Sequence, residues 1–156
     1  FPEQLQFTPR SVKELYVQLI LDKVGSIVQL LPQTPYVAVG LNFVWHMIPE
    51  TGEFGAFCRG LFFRENPLFA AFDADDSRYG GYLSKNALGA RLKLDIRPLR
   101  KGPANEGTEV LQFAFNYNLD LPRSADAADR IMGMLRRWDE ASVQAQDIVR
   151  ALETWG

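Results

Sequence analysis

Apolar residues recur at Val12, Leu15, Tyr16, Leu19, Ile20, Val24, Ile27, Val28 and Leu31. That is the three-and-four spacing of one helical stripe, and it predicts a helix from about Pro9 to Leu31. Thr8 before Pro9 supplies a capping residue and a proline at the first helical position, with Ser11 and Glu14 as a second, capping-box start. Pro32 and Pro35 end the helix, because neither can continue its hydrogen-bond ladder. From Tyr36 the period changes to two. Val37, Val39, Leu41, Phe43, Trp45 and Met47 alternate with Tyr36, Ala38, Gly40, Asn42, Val44 and His46, which predicts a strand buried on one side and ending at Pro49.

The next stretch, Glu50 to Phe72, holds six of the eleven phenylalanines. The spacing of Phe54, Phe57, Cys58, Leu61 and Phe62 fits a short helix, which Asn66-Pro67 breaks; Leu68 to Phe72 then reads as a short extended segment before a polar loop from Asp73 to Gly81. Leu88, Ala90, Leu92, Leu94 and Ile96 form the apolar side of a second strand, and Leu111, Phe113, Phe115, Tyr117, Leu119 and Leu121 that of a third. The turn chemistry between Arg100 and Thr108 joins these two into an antiparallel hairpin. Matching their apolar faces sets Arg97 opposite Gln112, Lys93 opposite Asn116 and Arg91 opposite Asn118, since a one-residue slip would push charges into the core. After Pro122, Ser124 is a capping residue. The stripe Ile131, Met134, Leu135, Trp138, Ala141, Ala145, Ile148, Val149, Leu152 and Trp155 then predicts one long helix from about Ala125.

These elements describe one α+β domain over residues 1–156: an antiparallel sheet of three or more strands, amphipathic helices packed on one face, and a long C-terminal helix. A chain of 156 residues, 47% hydrophobic and 23% charged, can bury a sizeable core without a metal or disulfide staple. Cys58 is the only cysteine; it reads as a small buried apolar group, and a reducing, cytoplasmic setting fits it. A net charge of −2 lacks the strong positive field of general nucleic-acid binders. The charge-free run from Val24 to Pro49 is too broken by Pro32 and Pro35 to be a membrane span. A chain that begins at Phe1, with no basic leader segment, reads as a processed product or a piece of something longer.

Candidate chemistry is thin. Asp73, Asp75 and Asp76 superficially resemble the Asp-x-Asp strand end of haloacid-dehalogenase-type phosphatases, but the lysine and second acidic pair would have to sit on following parallel strands, and a hairpin follows instead. As a calcium loop the segment has Arg78 where glycine belongs and Ser84 where the bidentate glutamate belongs. An acidic solvated turn is the simpler reading. His46 is the only histidine and lacks a second His to make a metal or acid-base pair. No Gly-x-Ser-x-Gly elbow surrounds any serine, and the glycines lack the lysine-hydroxyl context of a phosphate loop. No catalytic residue, metal ligand or cofactor is therefore assigned.

What distinguishes the chain is the polar face of the hairpin, Arg91, Lys93, Arg97, Gln112, Asn116 and Asn118, which Asn42 and His46 would extend. Its few aromatics argue against an RNA platform, and a plain solvated sheet face competes with any functional use. The expectation is a soluble, non-catalytic binding or assembly module that contacts a protein partner through this face. Because a helix of about 45 Å would outrun its own sheet, self-association through the C-terminal helix is also expected. The alternative is a small-ligand or metal-dependent enzyme using Asp73, Asp75, Asp76 and His46.

Overall fold

The computed structural model describes residues 4–8, 14–49, 53–103, 107–122 and 126–153. Its elements run α1 (Glu14–Leu30), β1 (Ala38–Met47), α2 (Phe54–Phe62), α3 (Pro67–Ala70), β2 (Gly81–Ala87), β3 (Ala90–Lys101), β4 (Thr108–Asp120), α4 (Ala127–Leu135) and α5 (Trp138–Glu153). The fold is α+β with one antiparallel sheet in the order β1-β4-β3-β2. The long strands β3 and β4 stand in the middle, and β1 and β2 form the two edges. The hairpin register agrees with the sequence expectation: Arg91 pairs with Asn118, Lys93 with Asn116 and Arg97 with Gln112.

Burial follows the predicted alternation except at Val37, which precedes β1 and is exposed. Leu41, Phe43, Met47, Leu92, Leu94, Ile96, Leu111, Phe113, Phe115 and Tyr117 are all buried on one face of the sheet. Phe43 meets Trp138 edge-on at 5.2 Å and Tyr117 at 6.1 Å, while Trp45 meets Phe115 at 5.5 Å. The Tyr117 hydroxyl reaches α5, 2.9 Å from Gln144 Oε1 and 3.2 Å from the Ala141 carbonyl oxygen, and burial pushes its pKa up to about 12. α4 also packs on β1, and α1 packs on α4. Cys58 on α2 is fully buried in the same core, and desolvation raises its thiol to about 11.

Three expectations are revised, and one strand is added to the three that the sequence marked. A fourth strand, β2, follows the Asp73–Gly81 segment; Gly81, Leu83, Lys85 and Ala87 on its core side mix glycine and lysine with apolar residues, so no clean alternation marks it. Leu88 is not a strand residue. With Gly89 it forms a two-residue turn at φ 54° and 73°, the left-handed conformation that a tight hairpin demands. Leu68 to Phe72 is not extended either: the Asn66 side chain accepts hydrogen bonds from the Leu68 and Phe69 amides at 3.0 and 3.2 Å, so Asn66-Pro67 starts the short helix α3 rather than only ending a helix.

The last revision concerns the C-terminal helix, which is long but not continuous with α4. The Arg137 amide bonds to the Met134 carbonyl three residues back at 3.1 Å, a tightened turn between the two helices. α4 buries Ile131, Met134 and Leu135, and α5 buries Ala141, Ala145 and Val149. α5 has 16 residues, a length of about 24 Å rather than 45 Å. The expected caps at Pro9, Ser11 and Ser124, and Trp155, lie outside the described residues. Among the described residues no helix is long and apolar enough to cross a membrane.

Candidate functional site

The register stacks the polar face of the sheet into rows, three of which cross all four strands and one of which crosses three. One row runs Gly40, Asn118, Arg91, Asn86; the next Asn42, Asn116, Lys93, Ser84; then Val44, Ala114, Asp95, Tyr82; then His46, Gln112, Arg97. All six predicted site residues, His46, Arg91, Lys93, Arg97, Asn116 and Asn118, therefore share one face, and β1 contributes Asn42 and His46 to it through β4. Cross-strand neighbours on such a face stand about 5 Å apart at Cβ, close enough for direct hydrogen bonds.

Two of those bonds form: Asn116 Nδ2 donates to Asn42 Oδ1 at 2.7 Å, and His46 Nε2 lies 3.3 Å from Gln112 Oε1. Along β4 itself, Asn118 Nδ2 donates to Asp120 Oδ1 at 2.8 Å. Gly40 makes room for this ladder, since a Cβ there would lie 3.3 Å from Asn116 Nδ2.

The face is less basic than its cations suggest. Arg97 is ion-paired to Asp95, whose hydrogen bond holds the guanidinium pKa above its usual value. Among the described residues Arg91 donates to Asn86 Oδ1 at 3.2 Å but has no carboxylate partner, and Lys93 has neither a hydrogen-bond nor an ion-pair partner. Positive charge available to a ligand thus gathers at one end, around Arg91 and Lys93, with the amides of Asn116 and Asn118 beside it. Asp95 lies two residues before Arg97 on the same face of β3, so strand alternation already sets the two side by side.

The acidic loop is arranged differently. Asp73 is ion-paired to Arg59, whose hydrogen bond holds the Asp73 carboxyl below the usual carboxylate range. The same guanidinium lies 3.9 Å from the Phe63 ring centroid and 3.3 Å from the Tyr79 hydroxyl, inside an aromatic cluster of Phe63, Phe69 and Tyr79. Asp75 and Asp76 are exposed, and among the described residues no three His, Cys, Asp or Glu side chains come together as a metal-binding group. A depression of about 270 Å³ beside this loop is walled by Leu68, Phe69, Phe72, Ser77, Arg78 and Tyr79, below the usual size of a ligand pocket. A larger open groove of about 640 Å³ lies between Lys85 and the α5 residues Asp139, Glu140, Val143 and Asp147, where the sequence singled out no chemistry.

The apolar groups expected to drive assembly through the C-terminal helix are largely occupied. Trp138, Ile148 and Leu152 pack on the core, and Val143 is the one large apolar side chain of α5 strongly exposed among the described residues. Compared with known proteins, the chain matches no family model, no curated protein and no solved structure.

Proposed function

We propose that the chain is a non-catalytic protein-binding and assembly module whose working surface is the open polar face of its sheet. The observation that carries this reading is the pairing pattern of that face: a hydrogen bond between their amides holds Asn42 and Asn116 in place beside Lys93, and Arg91 stands one row away with no carboxylate partner among the described residues. Rigid strands preorganise these donors, which lowers the entropy lost on binding. An acidic segment of a partner protein suits them, because Arg91 and Lys93 offer charge while Asn116 and Asn118 offer neutral donors to the remaining carboxylate oxygens. The single buried thiol fits a reducing, cytoplasmic compartment.

A glutamate-rich peptide titrated by NMR tests this reading. Shifts should concentrate at Asn42, Arg91, Lys93, Asn116 and Asn118. The double change Arg91→Glu and Lys93→Glu should weaken binding at least about tenfold, as expected for loss of charge-assisted hydrogen bonds. Binding that ignores this reversal would defeat the proposal. The alternative, a metal-dependent or small-ligand enzyme at Asp75, Asp76 and His46, has less support because Asp73 is already held by Arg59. It would be revived by a Mg²⁺- or Ca²⁺-dependent rise in melting temperature that Asp75→Asn with Asp76→Asn abolishes.

A further inference from the structure

We infer that the chain forms a two-fold dimer by pairing the free edge of β1 with β1 of a second copy, joining two sheets into one of eight strands. The inference deepens the assembly part of the proposed function and does not depend on what the polar face binds. It starts from one hydrogen bond. The Leu121 amide donates to the Val37 carbonyl at 2.9 Å, and these residues continue the register in which Ala38 faces Asp120. Along an antiparallel pair, bonded and non-bonded positions alternate, so the odd residues of β1 turn their backbone groups to β4. The even residues Ala38, Gly40, Asn42, Val44 and His46 turn theirs outward.

All five of these residues are exposed, Gly40 included, which has only backbone to expose. Among the described residues no backbone hydrogen bond reaches that outer side. The strand also lacks the devices that keep edges apart: it has no charge, no proline and no interruption of its register over ten residues.

The second copy is the occupant that fits, because the edge is complementary to itself. Only an antiparallel register centred on Asn42 uses all five outward-facing residues, setting Ala38 against the second copy's His46, Gly40 against its Val44 and Asn42 against its Asn42. Each bonded pair exchanges two hydrogen bonds, about ten in all. In this register the exposed Val44 comes to lie over the bare backbone of Gly40. On the core side, the half-buried Val39 meets the half-buried Trp45 of the other copy, so two incompletely covered apolar groups cover each other. No formal charge lies between Val24 and Pro49, so no like-charge contact opposes the pairing. The Asn42–Asn116–Lys93 row would run unbroken across both copies, giving two equivalent binding surfaces on one sheet.

Sedimentation equilibrium of the full chain from 1 to 100 µM tests the inference, with amide exchange as a second readout. The parent should sediment at twice the chain mass, with the amides of Gly40, Asn42 and Val44 protected. Val44→Pro removes an outward-facing amide and should shift the equilibrium at least tenfold toward monomer. Asn42→Asp and Asn42→Lys should each do the same by setting like charges opposite one another, and mixing the two should restore a dimer. That rescue also covers the case in which the proline variant fails to fold. Lys93→Glu should leave the dimer unchanged, which separates this inference from partner binding on the face. A monomeric parent at 100 µM, a dimer indifferent to the β1 changes, or a dimer dispersed by Val143→Glu on α5 instead would overturn it.

Discussion

The two edges of the sheet are built to opposite rules. β1 has ten residues, no charge and a backbone open to solvent, and it is anchored from behind by Phe43, which touches the rings of Trp45, Tyr117 and Trp138. β2 has seven residues, carries Lys85, and leaves Tyr82 and Leu83 about 60% exposed. A short strand with a lysine on it is a poor template for another chain, whereas a long neutral one invites pairing. The difference shows that an edge can be firmly held on its core face and still be open along its hydrogen-bonding side, because the two directions are perpendicular.

Core truncations should expose the contrast most strongly. Phe43→Ala on β1 should cost about 3–5 kcal/mol in urea denaturation, through lost burial and a residual cavity, much as Phe115→Ala on the central β4 should. Leu83→Ala on β2 should cost under about 1 kcal/mol, because most of that side chain is already wet. Equal losses at Phe43 and Leu83 would erase the distinction between the edges.

Cys58 reports on the β2 side, where Phe62 of its helix packs near Gly81. Its pKa is raised to about 11, so at pH 8 roughly one thiol in a thousand is ionised, and labelling by a disulfide reagent should run at least about a hundredfold slower than in urea. Faster labelling that keeps the far side intact would mean that the β2 side opens separately from β1. The raised value also sets a sign. The folded chain keeps this proton while the unfolded chain releases it, so stability falls as pH rises from about 9 to about 11, and Cys58→Ala should flatten that fall.

The smallest effects belong to the turn and the polar face. Leu88 holds a left-handed conformation without being glycine or asparagine. Leu88→Asn should therefore stabilise the β2 hairpin by about 0.5 kcal/mol, the relieved strain being partly offset by lost contact with the core. Lys93→Ala should change stability by less than about 0.5 kcal/mol, which thermal melting can check, since Lys93 has neither a hydrogen-bond nor an ion-pair partner among the described residues. A larger loss would make it a folding residue rather than a free cation.

Local periodicity by itself determined β1, β3 and β4, the faces they bury and the rows Arg91–Asn118, Lys93–Asn116 and Arg97–Gln112, because a period of two and the cost of burying charge leave one register for a hairpin. It also determined the stripe from Ile131 to Leu152. Only the tertiary structure decided the rest. Gly81 to Ala87 has no alternation of its own and becomes a strand because β3 offers it a ladder. The break at Arg136 and Arg137 is a tightened turn, the Arg137 amide bonding to the Met134 carbonyl, which no interruption of the stripe from Ile131 to Leu152 announces. Asp73 and Arg59 lie fourteen residues apart and meet only when α2 and the acidic loop fold together. The position of β1 at an edge was equally hidden, since pairing β1 with β4 rather than β3 depends on how the long chain between them crosses, and that is a long-range choice no local pattern records.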